Sequence, residues 1–435
     1  MELAALFSRH VERLQAETER ALAETGFDSL VVSSGAPFTY FADDADAPFH
    51  PVPHFAHWCP LGGPHHLLHV VPGRKPRLVR HAPEDYWFEQ GGVTDPFWLG
   101  AFRFEEAGSV EAAWEALGRP ARAAYVGNEV ERAGGAGLAA NPAPLTSRLD
   151  WVRSYKDDYE VRCLEEATAL GARGHRAARE AFAAGASEME IHHAFCRGVG
   201  ATEAQLPYST IVALNEKGAT LHYESKRHLR DGHVLLLDAG AASRGYACDI
   251  TRTTPARSCN PRFAEIVRAM EALEQELARA ALPGRPYLDV HLQAHRGVAG
   301  ILADAGLVRV PAEEALAQGY THPFLPHGVG HHLGIQVHDV AGRQSDRTGT
   351  PAPPPKEHPY LRNTRTIEPG HVFTIEPGLY FIPMLLRPFR SGPAAPAFDW
   401  AAIDALTPFG GVRVEDNVLV TAAGPRNLTR EHLAN

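Results

Sequence analysis

The chain has 435 residues, 44% hydrophobic and 22% charged, with 39 Gly and 34 Pro. That is a globular balance longer than one usual domain, and it excludes collagen-like and long low-complexity chains. A net charge of −10 argues against a general binder of nucleic-acid backbone, and no run approaches the ~18 apolar residues of a membrane span.

In chain order, Leu3, Phe7, Val11 and Leu14 fall at helical spacing between charges. They predict an amphipathic helix without the layout of a signal peptide. The β-branched run DSLVVSSG, the pair HLLHVVPG and PRLVRH around Gly73, and ARAAYVG predict strands. FADDADAPFHPVPHFAHW between them is too rich in Pro for helix or central strand. RAGGAGLAANPAPLTSRLDW reads as connecting sequence. Residues 1–153 are therefore expected to form a smaller α/β domain. A second domain, 154–435, opens on the long amphipathic pattern YKDDYEVRCLEEATALGARGHRAAREAF. SEMEIHHAFCRGV follows, with Ser187 and Glu190 spaced as a capping box. STIVALN, ATLHYE, HVLLLDAG, YACDITRT, HVFTIEPGLYF and GVRVEDNVLV predict strands, and two helices are expected near 261–282 and 288–305. Grouped strands with helices to one side predict an α+β class. The cysteines (Cys59, Cys163, Cys196, Cys248, Cys259) are scattered and odd in number. That fits a reducing compartment, and the cytoplasm is the expected location.

Acids at strand positions stand out, because Asp is disfavoured there. Asp238 ends HVLLL, Asp249 sits inside YACDITRT, and Glu376 and Glu415 repeat the anomaly in FTIEPG and VRVED. One such acid is usually a turn or cap residue, but four gathered together would repel unless cations neutralised them. His327, His331, His332 and His338 crowd into twelve residues with Gly328, Gly330 and Gly334. Their density raises the odds of an imidazole ligand without choosing one. Oxygen-rich ligation with one imidazole suits Mn²⁺, and also Zn²⁺, Co²⁺ or Fe²⁺.

LLLDAGAASRGYACDITRT, LPHGVGHHLGIQVHDV, FTIEPGLYF and PFGGVRVEDNV, in that order, resemble the pita-bread metallopeptidases. Within that family the chain is most similar to the bacterial-type Xaa-Pro dipeptidase (prolidase) group, which includes enzymes described as organophosphorus acid anhydrolases. The resemblance implies a pita-bread catalytic domain and two divalent metal ions on Asp238, Asp249, His331, Glu376 and Glu415, with Asp249 and Glu415 touching both ions. It implies that His222 and His338 contact substrate, that Arg362 receives the substrate carboxylate, and that Arg413 orients the metal site. Tyr208 resembles a pocket residue near the scissile carbonyl. Asp43, Asp44 and Trp87 resemble residues that cap a neighbouring subunit's site, which implies a homodimer. His332 has no assigned role. The implied reaction is hydrolysis of Xaa-Pro dipeptides by a metal-bridging hydroxide, with Glu376 moving protons. An aminopeptidase P acting on longer peptides, phosphotriester hydrolysis as a side activity, and a metal-free binding module of the same fold are the competing expectations.

Overall fold

The computed structural model describes residues 2–87, 93 and 96–433. Contacts divide the chain into two compact units: Met1–Arg162 with Asp346–Thr350, and Cys163–Ser345 with Pro351–Asn435. Among the described residues no helix is long and apolar enough to cross a membrane.

The first unit is built on a six-stranded mixed sheet. Strand Ser29–Ser33 is fully buried. It pairs antiparallel with Leu67–Val70 on one side and parallel with Ala123–Val126 on the other. Val31, Leu67, Val79, Trp114 and Tyr125 form its core cluster. Two stretches differ from expectation. Pro53–Trp58 is a short helix inside the Pro-rich segment, because Pro53 stands in its first turn, where a missing N–H costs nothing. The connecting sequence forms the helices Val130–Gly135 and Ala143–Arg153.

The second unit buries its largest apolar cluster between the helices Pro261–Ala280 and Tyr287–Asp304 and the strands, with Phe263, Met270, Val290, Val298, Phe373 and Val418 in its interior. Each such side chain taken fully from water is worth about 1.5–3 kcal/mol. Helix Glu188–Val199 starts on the expected capping box, with Ser187 Oγ accepting from the Glu190 N–H and the Glu190 carboxylate accepting from the Ser187 N–H.

Two interrupted hairpins organise the strands. In the first, Val234–Asp238 pairs antiparallel with Thr251–Pro255, and Asp238 lies opposite Thr251. The small pair Ala242–Ser243 and Tyr246–Ala247 keeps the same register, so Asp249 falls opposite Gly240, between the two ladders. In the second, Val372–Ile375 pairs with Asp416–Thr421, and Gly378–Tyr380 with Gly411–Arg413. The register again agrees across the break, which sets Glu376 opposite Glu415. The predicted strands YACDITRT, HVFTIEPGLYF and GVRVEDNVLV are thus each split. Asp249, Glu376 and Glu415 sit in the gaps, not inside strands as expected, because a carboxylate fits a ladder poorly and a break well.

ATLHYE is not a strand either: a 3-10 turn ends at Ala219 and the following residues have no ladder. Its place is held by the fully buried Glu188. That carboxylate accepts from the Leu214 N–H (2.9 Å), the Tyr223 hydroxyl (2.8 Å), the Arg227 N–H (2.7 Å) and the Arg227 guanidinium (3.1 Å). Removing one partner of a buried charged network costs about 3–5 kcal/mol. Glu188→Ala is therefore expected to lower the stability of the second unit by that amount, read from urea unfolding. A loss under about 1 kcal/mol, the scale of a surface pair, would contradict the anchoring role.

Candidate metal centre

The two hairpin breaks and the histidine run converge in the second unit. Residues 329–333 lie antiparallel along strand Val372–Ile375: the Thr374 N–H donates to the His331 carbonyl (2.9 Å), the Glu376 N–H to the Val329 carbonyl (2.9 Å) and the Leu333 N–H to the Val372 carbonyl (3.0 Å). This approach needs Gly330, where a Cβ would run into the Thr374 carbonyl oxygen and the Tyr287 hydroxyl. Gly240 plays the same part in the first hairpin, since a Cβ there would collide with the Cys248 carbonyl and lie 2.7 Å from the Tyr208 ring.

His331 is buried, and its Nδ1–H donates to the His332 carbonyl (3.0 Å). That bond makes Nδ1 the donor to the backbone and leaves Nε2 turned to the carboxylates. Nε2 faces Asp249 at 3.6 Å, Glu376 at 3.7 Å and Glu415 at 3.9 Å. One ligand atom each from Asp249, His331 and Glu415 lie within 4.8 Å of one another. Asp238 joins through the Tyr208 hydroxyl, which reaches Asp249 Oδ1 at 2.5 Å and Asp238 Oδ1 at 2.9 Å. The structure thus brings together all five residues expected to hold metal.

Arg413 is buried beneath them. It donates to Asp238 Oδ2 (2.5 Å), the Tyr380 hydroxyl (3.0 Å) and Thr251 Oγ1 (3.2 Å). Thr251 in turn donates to Glu415 Oε2 (2.7 Å). The electrostatics show the strain of this packing. Burial first, and then repulsion from the neighbouring carboxylates, holds Glu415 well above the ordinary carboxylate value. Burial likewise raises Asp238 and pushes Glu376 up to about 7. Burial acts on Asp249 in the same direction, but His331 and Tyr208 outweigh it and hold that acid low. One guanidinium and one imidazole do not balance four carboxylates. The donor set fits divalent cations: carboxylate oxygens plus one imidazole, all but Glu376 oriented by a hydrogen-bonded partner.

Around the cluster the rim residues differ in kind. His338 is exposed, with its ring 4.4 Å from that of His331 and perpendicular to it. Partial enclosure first, and then the His331 and Arg362 charges, push it down to about 4. His222 is exposed and within electrostatic reach of both His327 and His338. Arg362 is exposed, and among the described residues its side chain makes no ion pair. Asp43, Asp44 and Trp87 belong to the first unit. Asp43 caps its own turn by accepting from the Asp44 and Ala45 N–H groups (2.7 and 3.2 Å), and Trp87 is 76% exposed against Tyr86. Sequence reasoning missed Thr251 and Tyr380, which look like ordinary strand residues. It also gave no role to His327, whose Nε2 meets the Tyr380 hydroxyl at 2.9 Å and whose Nδ1 lies 3.8 Å from Glu376.

Residues 162–422 match the model of metallopeptidase family M24, and residues 5–151 match the Xaa-Pro dipeptidase N-terminal domain. The chain is 42% identical over 430 residues to an Xaa-Pro dipeptidase of Stenotrophomonas maltophilia, covering 98% of this chain and 97% of that one. It is 44% identical over 429 residues to an Xaa-Pro dipeptidase of Marinobacter nauticus, covering 97% of each. Among solved structures it resembles aminopeptidase P from Escherichia coli with the inhibitor Pro-Leu (TM-score 0.71, 24% identity, 100% of this chain and 96% of that one). It also resembles proline aminopeptidase P II from Yersinia pestis (TM-score 0.71, 24% identity, 98% and 97%). These neighbours share the pita-bread fold, and they carry the fold alone. By the two family matches and the full-length relatives, the chain belongs to metallopeptidase family M24, in the branch that carries the Xaa-Pro dipeptidase N-terminal domain.

Proposed function

We propose that the chain is a metal-dependent hydrolase of Xaa-Pro dipeptides. The observation that carries this reading is the convergence of Asp249, His331 and Glu415 within 4.8 Å, in a chain whose full-length relatives are named Xaa-Pro dipeptidases. Asp238, Asp249, His331, Glu376 and Glu415 would hold two divalent ions, Mn²⁺ first and Zn²⁺, Co²⁺ or Fe²⁺ as substitutes. Two such ions would supply the hydroxide nucleophile and the Lewis acid there.

The rest falls to the chain's own residues. Arg413, Thr251 and Tyr208 hold three of the four carboxylates by direct hydrogen bonds. Glu376 alone has no hydrogen bond to its carboxylate among the described residues, a freedom that suits the group that moves the proton. His222 and His338 stand at the rim, where they would contact substrate and steady charge on the scissile carbonyl oxygen. Tyr208 would line the pocket beside them. Arg362 would receive the substrate carboxylate, since a guanidinium grips both oxygens. A bond to proline has no N–H, so recognition must come from the two ends of the dipeptide. Side activity on organophosphate triesters belongs to the same reading. All five metal donors are present, which weighs against a metal-free binding module.

The same proposal includes a functional division at 153/154, in the gap between helices Ala143–Arg153 and Asp158–Ala183. It also includes a cytoplasmic location, which five free thiols suit. A homodimer in which Asp43, Asp44 and Trp87 face the partner's site completes it, supported by the exposure of Phe41, Tyr86 and Trp87.

Two experiments test the proposal. Chelation should abolish hydrolysis of Ala-Pro, with Mn²⁺ restoring it best. Full activity in protein shown to be metal-free would end the reading. Arg362→Ala should lower kcat/KM for Ala-Pro by about one to two decades, the worth of a charged hydrogen bond of roughly 1.5–3 kcal/mol. It should change Ala-Pro-amide far less, because the amide never had that partner. Equal losses on acid and amide, or a wild type that cuts proline tripeptides faster than dipeptides, would favour an aminopeptidase P.

A further inference from the structure

A second group of donors lies in the same unit and shares no residue with the carboxylate cluster. His291 and His295 are one helical turn apart on helix Tyr287–Asp304, and both are buried. His358 faces them from the loop at 355–361. The ring centroids of the three lie 4.8, 4.5 and 4.9 Å apart. One ring nitrogen from each lies within 4.8 Å of the other two. His295 Nδ1 is bonded to Thr321 Oγ1 (2.9 Å), which leaves its Nε2 turned to the group. His291 is 1% exposed, yet neither of its ring nitrogens has a hydrogen-bond partner. Buried polar atoms are nearly always partnered, so such an orphan calls for an explanation. The three histidines line a cavity of about 260 Å³, with His322 and Glu357 also on its wall.

Packing of imidazole edges on imidazole faces accounts for the ring angles but not for the unpartnered His291 nitrogens. A cation accounts for the grouping of the three rings and would take up one of the two His291 nitrogens. We propose that His291, His295 and His358 form a separate three-histidine site for a borderline divalent ion, zinc foremost, with its fourth position open to the cavity.

The donor chemistry separates the two sites. Three imidazoles as the ligand set favour zinc, nickel or copper, whereas the oxygen-rich cluster suits manganese. Zinc takes imidazole nitrogens at about 2.0–2.1 Å in tetrahedral array, so binding would draw the three rings closer than their present spacing. The ion would tie a core helix to the loop that leads directly into Leu361 and Arg362. Part of that loop is already pinned: the Leu361 carbonyl accepts from the Arg343 guanidinium (2.8 Å). The site thus acts as a clip behind the segment that carries Arg362, and its existence does not depend on the reaction proposed above.

Metal counting tests it. Full-length protein is stripped with chelator, saturated with Mn²⁺, exposed to one to three equivalents of Zn²⁺, desalted and analysed by elemental mass spectrometry. His358→Ala alters only the loop. His295→Gln keeps a polar partner for Thr321 and guards against a folding defect in the core. Wild type should retain one more zinc per chain than either variant, with equal manganese in all three. Zinc should also raise the unfolding temperature of wild type and leave both variants unmoved. A zinc count that either substitution leaves unchanged overturns the proposal.

Discussion

Four carboxylates share one buried pocket with a single guanidinium, and much else in the second unit follows from that imbalance. Burial and mutual repulsion raise Asp238, Glu376 and Glu415 above the ordinary carboxylate value. Arg413 meets only part of the excess through Asp238. Isolated buried charges are so costly that a protein neutralises them or pairs them. Here the pairing is left open toward positive charge from outside, and the rigid donors Arg413, Thr251 and Tyr208 keep the oxygens from collapsing onto one another.

The backbone solves the same problem by breaking its own ladders. Each hairpin keeps one register on both sides of its gap. The gap therefore does not shift the strands; it frees two facing residues from the sheet. Asp249 faces Gly240 in one gap, and Glu376 faces Glu415 in the other. The bridge between Thr251 and Glu415 joins the two hairpins, and the histidine run closes the third side along strand Val372–Ile375. Two glycines, Gly240 and Gly330, hold their places because a methyl group at either would strike backbone. A site assembled from strand gaps is stiff, and stiffness keeps ligands within the narrow tolerance that metal chemistry needs.

Much of this was legible in the sequence, for a physical reason. Acids are rare in strands, so Asp238, Asp249, Glu376 and Glu415 announced themselves against apolar surroundings. The gaps were not legible, because a broken strand and a continuous one share the same alternation. Glu188 stayed hidden behind a good capping box: its neighbours Ser187 and Glu190 explained the segment, while its own work is done across the fold on Tyr223 and Arg227. The failed strand at ATLHYE has the same cause, since the segment is tied through the Tyr223 hydroxyl to a distant carboxylate and not by a neighbouring ladder. Thr251 and Tyr380 could not be found by type, because β-branched and aromatic residues belong in strands whatever else they do. Pro53–Trp58 shows the reverse error, in which Pro was read as a breaker where it starts a helix.

The central claim is that the carboxylate imbalance exists to hold cations. Crystals soaked in Mn²⁺ and measured at the manganese absorption edge test it without reference to activity. The account predicts two anomalous peaks about 3.5–4 Å apart, with Asp249 and Glu415 reaching both, Asp238 on one side and His331 with Glu376 on the other. Well-diffracting crystals at saturating Mn²⁺ with no peak among these five residues would contradict it.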